Sequence, residues 1–112
     1  MARDPKNFTN TTQLSSTASD VVGEVAGNTK AIVRKLSFNN TGSSTRSVAV
    51  HIIASGGSAG TTNELVSKAI PAGKTWNVIE IQGEVLEPGM KAQATQDAGT
   101  DVNANCSGAN VT

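Results

Sequence analysis

"RSVAVHIIA", residues 46–54, alternates from end to end: Val48, Val50, Ile52 and Ala54 fall on one side, Ser47, Ala49, His51 and Ile53 on the other. Successive strand side chains point to opposite faces, so this period of two describes a strand with one face turned to a core. The branched Val and Ile side chains suit a pleated surface. No segment of the chain sustains the helical period of 3.6, so the fold class is decided here.

Moving outward on the N-terminal side, "KAIVRKLSFNN", residues 30–40, repeats the period with Ile32, Leu36 and Phe38 in phase. Arg34 falls in that same phase, which puts it at a rim or against a partner. Residues 39–44, Asn-Asn-Thr-Gly-Ser-Ser, are turn chemistry, because Asn and Gly tolerate positive φ and Ser and Thr form local side-chain turns. On the C-terminal side, "SGGSAGTTN", residues 55–63, reads as a polar connector exposed outward, followed by a returning strand "ELVSKAI". "PAGK" at 71–74 is a tight turn, and "TWNVIEI" reads as a further strand carrying Trp76, Val78 and Ile79. Glu87-Pro88-Gly89 turns again before a strand of small side chains from Met90, and Asp97–Asp101 turns into a last strand with Val102, Ala104 and Cys106 in phase.

Seven or eight strands at intervals of roughly 8 to 12 residues predict an all-β, antiparallel β-sandwich, Ig-like or jelly-roll-like. "DVVGEV", residues 20–25, is a short strand within it. Residues 1–18 are mostly Asn, Thr, Ser and Gln, with Phe8 and Leu14 the only large apolar side chains. So little apolar surface offsets the ordering cost poorly, which describes an extended N-terminal arm that orders against something else, anchored by Phe8 and Leu14. The competing reading is a first strand at the sheet edge, since "TNTTQL" has adequate β-propensity. The organisation expected is thus an arm at 1–18 and a sandwich domain at 19–112.

With 112 residues the chain is one domain, and an aromatic content of 3% leaves Val, Ile, Leu and Ala to fill the core. Oligomerisation is a common supplement to so thin a core. Nine basic and nine acidic residues cancel, removing the electrostatic reason to expect nucleic acid or an anionic membrane as partner. The opening "MARDPKNFTN" has no apolar h-region and no apolar run approaches a membrane span, so synthesis as a soluble protein in the cytosol is expected.

Sites of chemistry are hard to build from these residues. Cys106 is the only cysteine, which excludes an internal disulfide and a cysteine-based zinc site, and it reads as a small buried hydrophobe. Gly73-Lys74-Thr75 copies the end of a P-loop, but the first glycine of that motif would be position 68, which is Lys. His51 is the only histidine and lies mid-strand, on a sheet face or at an interface rather than beside a nucleophile. Glu84 and Glu87 bracket a turn without the aromatic cleft of a glycosidase. Asp97, Asp101 and Asn103 gather oxygens near one turn without EF-hand spacing, leaving a weak cation site open. The Asn-x-Ser/Thr triplets at 7, 10, 39, 105 and 110 follow from composition. The expectation is a protein that is not an enzyme and needs no cofactor.

From Ala31 to Val111 the order of features is an Asn-rich turn after a strand, an apolar strand, an "SGG" connector, an "IPAG" turn, a "VLEPG" turn and a final strand containing "SG". In that order the chain resembles small β-sandwich virion proteins of tailed bacteriophages. The resemblance implies a structural component of the particle, a capsid decoration or cement protein or else a collar or tail part, partnered by capsid, collar or tail subunits and by copies of itself in a homo-oligomer. Its localisation would be the virion. It transfers no catalytic residue. Interface residues expected from this reading are Phe8, Leu14, Arg34 and His51. A receptor- or carbohydrate-binding module on a phage fibre or bacterial surface is the alternative.

Overall fold

The computed structural model describes residues 3–112, and these form an all-β sandwich of nine strands. In chain order they are β1 (Arg3–Gln13), β2 (Ser19–Val22), β3 (Lys30–Asn40), β4 (Arg46–Ile53), β5 (Glu64–Ile70), β6 (Thr75–Asn77), β7 (Val85–Leu86), β8 (Lys91–Gln96) and β9 (Val102–Val111). One sheet has the order β1-β9-β3-β6, with β7 also paired to β3, and the other has the order β2-β8-β4-β5. Every pairing is antiparallel.

The inward set of β4 is the one its alternation predicts. Val48 and Val50 are fully buried and Ile52 packs against the core, while Ala54 lies beyond the strand and is exposed. Val33, Leu36 and Phe38 from β3, Ala92 and Ala94 from β8, and Val102, Ala104 and Cys106 from β9 complete the layer between the sheets. Phe38 and Trp76 supply the aromatic contact, with ring centroids 5.7 Å apart.

Of the two readings of residues 1–18, the folded chain adopts the edge strand. β1 pairs with β9 from Arg3↔Val111 to Gln13↔Asn103, Leu14 is buried in the core at 1% exposure, and Phe8 packs against it. The anchors foreseen for an arm on a neighbour therefore anchor the segment to its own domain. Thr9 reinforces this by donating its hydroxyl hydrogen bond to the carbonyl of Val21, joining the two sheets along one side.

Two expectations are corrected. Ile32 does not share a face with Leu36 and Phe38, because β3 carries an extra residue between Val33, paired to Gly108, and Lys35, paired to Ser107. This β-bulge at Arg34 shifts the phase: Ala31 and Val33 face the core before it, Leu36 and Phe38 after it, and Ile32 faces outward. "TWNVIEI" is not one strand either. After Asn77 the chain makes a 3-10 turn at Ile79–Ile81 that buries Ile81 and leaves Ile79 69% exposed. The turn spans the bulged stretch of β3. Val78 N–H donates to the Leu36 carbonyl, Gly83 N–H to that of Val33, and Val33 N–H to that of Glu84.

Polar side chains fix the crossings between sheets. Asn40 is fully buried where β3 hands over to β4; its Nδ2 donates to the carbonyls of Ser44 (2.8 Å) and Ile70 (2.9 Å), and its Oδ1 accepts from Gly42 N–H (3.0 Å). Gln96 does the same between β8 and β9, accepting from Val102 N–H at 3.0 Å and donating to the Ala98 carbonyl. Among the described residues no buried side-chain polar atom is left without a partner, as a stable interior requires.

Candidate functional site

The outer face of the first sheet is the candidate site, and strand registers dictate what it displays. Residues opposite one another on neighbouring strands share a face. Val85, Ile32, Ala109 and Pro5 are successive partners across β7, β3, β9 and β1, forming one apolar row. Val85 is 43% exposed. The rows beyond are polar: Lys35, Ser107 and Asn7; then Asn77, Ser37 and Asn105; then Thr75, Asn39, Asn103 and Gln13. Within the last row the Thr75 hydroxyl donates to Asn39 Oδ1 at 3.3 Å.

On either side of the first polar row the neighbours of β9 are irregular. β1 carries Phe8 as an extra residue between Asn7, paired to Ser107, and Thr9, paired to Cys106. β3 carries Arg34 one rung away, between Val33, paired to Gly108, and Lys35, paired to Ser107. Gly108 is required there, because a Cβ at that position would overlap the carbonyl oxygen of Ile32 and come 2.9 Å from the Phe8 ring. Two shallow depressions adjoin at this point and share Asn7 and Ser107. One, of about 430 Å³, is rimmed by Lys6 and Arg34; the other, of about 310 Å³, by Lys35. No carboxylate lines either depression, and among the described residues Lys6, Arg34 and Lys35 have no ion-pair partner.

The four residues expected at an interface therefore lie in different environments. Arg34 is exposed on this face, and Phe8 lies on the other side of Gly108 with its ring turned to the core. Leu14 is interior. His51 belongs to the second sheet, where it and Ile53 are buried on the outer side of β4 beneath the Ser55–Asn63 connector. Lys6, Lys35, Asn7 and Ser107 escaped the sequence reading; the Arg34-Lys35 doublet interrupting an alternating strand was the available signal.

The remaining chemical candidates are tied into structure. Asp101 accepts from Arg46 Nε at 3.0 Å, and its backbone carbonyl accepts from the Thr41 hydroxyl. Glu87 pairs with Lys30 at 3.3 Å. Burial pushes the Cys106 thiol up to about 12, which removes its nucleophilic form at neutral pH. Among the described residues no three His, Cys, Asp or Glu side chains group as metal ligands, and no helix is long and apolar enough to cross a membrane. No protein-family model matches the chain, and no curated protein matches it significantly.

Proposed function

We propose that this chain is a non-enzymatic structural component of a tailed bacteriophage particle, binding neighbouring capsid, collar or tail subunits, most naturally as a capsid decoration or cement protein. The observation that carries the reading is the outer face of the first sheet, where Val85 and Pro5 are exposed and Ile32 partly so, an apolar row beside polar rows. Exposed apolar surface rimmed by polar groups marks protein docking sites. The resemblance of residues 31–111 to phage β-sandwich virion proteins supplies the class of partner. Many symmetric copies make modest single contacts sufficient, since multipoint attachment raises apparent affinity by about 10² to 10⁴.

The edges contribute less than the face. On β1 the first half is blunted by Pro5, which has no N–H, by Lys6, and by the bulge at Phe8, all devices that discourage strand addition. The Asn-rich rows favour a second reading as a carbohydrate- or receptor-binding module, because side-chain amides both donate to and accept from sugar hydroxyls.

Mass spectrometry of purified particles tests the proposal, with saturable binding of the isolated protein to particles lacking it as the second measurement. A fixed stoichiometry per particle is expected. Absence from particles together with specific binding on a glycan array would overturn it in favour of the second reading.

A further inference from the structure

Arg34 and Lys35 stand side by side at adjoining depressions that contain no acid, with Lys6 at the margin of one of them, on a chain whose nine basic and nine acidic residues cancel overall. Adjacent cations held without counter-charge repel one another and attract an anion. The bulge puts two successive cations on this face: Arg34 keeps the outward phase of Ile32, and the extra residue returns Lys35 to the same side, opposite Ser107. Asn7 and Ser107 add neutral hydrogen-bonding groups where the two depressions meet.

From this geometry we infer that the twin-bulge depression is an anion-docking site that seats the carboxylates of an acidic segment on a neighbouring protein. The inference rests on the reading of this face as a docking surface and names the chemistry of its partner. Arg34 offers a planar fork that matches a carboxylate, while Lys35 acts as a point charge beside it. An acidic protein segment fits better than nucleic acid for two reasons. The apolar row of Val85, Ile32, Ala109 and Pro5 adjoins the cations and calls for an apolar side chain next to the carboxylates. The face also has no exposed aromatic ring on which a base could stack.

The test is an NMR titration of the ¹⁵N-labelled full chain with three probes: the acetylated and amidated peptide Glu-Val-Glu-Ile-Glu, its Gln-for-Glu counterpart, and a six-nucleotide thymidine oligomer. The Glu peptide is expected to shift the amides of Asn7, Lys35 and Ser107 saturably, more weakly as salt rises. The Gln peptide is expected to leave them in place. Arg34→Glu combined with Lys35→Glu should weaken binding by at least about tenfold, whereas Lys74→Glu, at the far end of the sandwich, should not change it. If the double variant fails to fold, Arg34→Gln keeps the chain length of the bulge, removes the charge, and should weaken binding in the same direction. Equal response to both peptides, shifts confined to other residues, or no saturation would overturn the inference. Tighter binding of the oligomer at the same amides would overturn the protein partner in favour of nucleic acid. A chain found in purified particles that ignores the Glu peptide would leave the structural role standing and dismiss only this docking chemistry.

Discussion

Nδ1 of His51 lies 3.0 Å from Oδ1 of Asn63 and 3.1 Å from the carbonyl oxygen of Gly60. The orientation of the Asn63 amide is fixed independently, since Oδ1 accepts from Gly60 N–H at 3.0 Å and Nδ2 donates to the Ser58 carbonyl at 2.8 Å. Two acceptors thus face Nδ1, so that nitrogen carries the proton. The single histidine works as a clasp that folds the connector back over Ile53.

Opening the clasp should loosen the connector without unfolding the sandwich. His51→Ala is expected to lower stability by about 1 to 3 kcal/mol, because the acceptors on Gly60 and Asn63 lose their donor. Protease cleavage between Gly56 and Gly60 should accelerate more than global unfolding does. Denaturant titration and timed proteolysis of the same variant measure the two effects separately.

Gly108 and Gly60 should respond oppositely to the same substitution. Gly108→Ala forces a methyl group into the Ile32 carbonyl and the Phe8 ring, and a cost of about 3 kcal/mol or more is expected. At Gly60 the added methyl meets open space with φ at −169°, an extended value that alanine adopts. Gly60→Ala should leave the unfolding midpoint unchanged to within about 0.5 kcal/mol.

Asn40 is replaceable by neither a smaller nor an acidic residue. Asn40→Ala strands Gly42 N–H and two carbonyls at the sheet crossing, with an expected loss of about 3 kcal/mol. Asn40→Asp should cost more at neutral pH, because a carboxylate oxygen then faces the carbonyl oxygens of Ser44 and Ile70. Acidification that protonates the aspartate should recover part of the difference, as read from thermal melts across pH.

Cys106 sets a limit on alkaline stability. Its thiol is held at about 12 by burial against 9.0 for an ordinary thiol, so above about 9 the unfolded chain loses a proton that the folded chain keeps. Stability should be insensitive to this group below 9 and should fall as pH rises from 9 toward 12. Cys106→Ala is expected to flatten that part of the profile relative to the parent chain, and native Cys106 should resist thiol reagents until the protein unfolds.

Leu14→Ala should cost about 2 to 5 kcal/mol, the range for emptying a leucine site in a packed core, since Leu14 is 1% exposed. Deleting residues 1–16 removes β1 and should abolish cooperative unfolding, because β9 becomes an unprotected edge. An unchanged melt after that deletion would instead favour an arm that belongs on a neighbour.

Where alternation was unbroken, the fold could be read directly. In 46–50 and 102–107 residues in phase also share a burial environment, whereas 64–70 is an exposed edge strand buried only at Ile70. Arg34 in the phase of Ile32 and Leu36 was the visible trace of a bulge, but one inserted residue and one rim arginine look alike until a partner strand supplies the register. "TWNVIEI" alternates well enough to be a strand, and only the irregular edge of β3 opposite it favours the 3-10 turn. The cover over His51 was illegible for a different reason: a polar connector carries no apolar pattern, and its contacts depend on a few hydrogen bonds made after the chain folds back. The cation-lined depressions join residues from three strands far apart in the chain, so no local motif announces them.

Paired insertions on both flanks of β9 also bear on mechanics. A strand with regular neighbours can ratchet by one rung and re-form its ladder, whereas β9 is keyed on its two flanks on either side of Ser107, and sliding would have to dislodge both keys. A load directed along the strand should therefore meet its steepest resistance between Cys106 and Gly108.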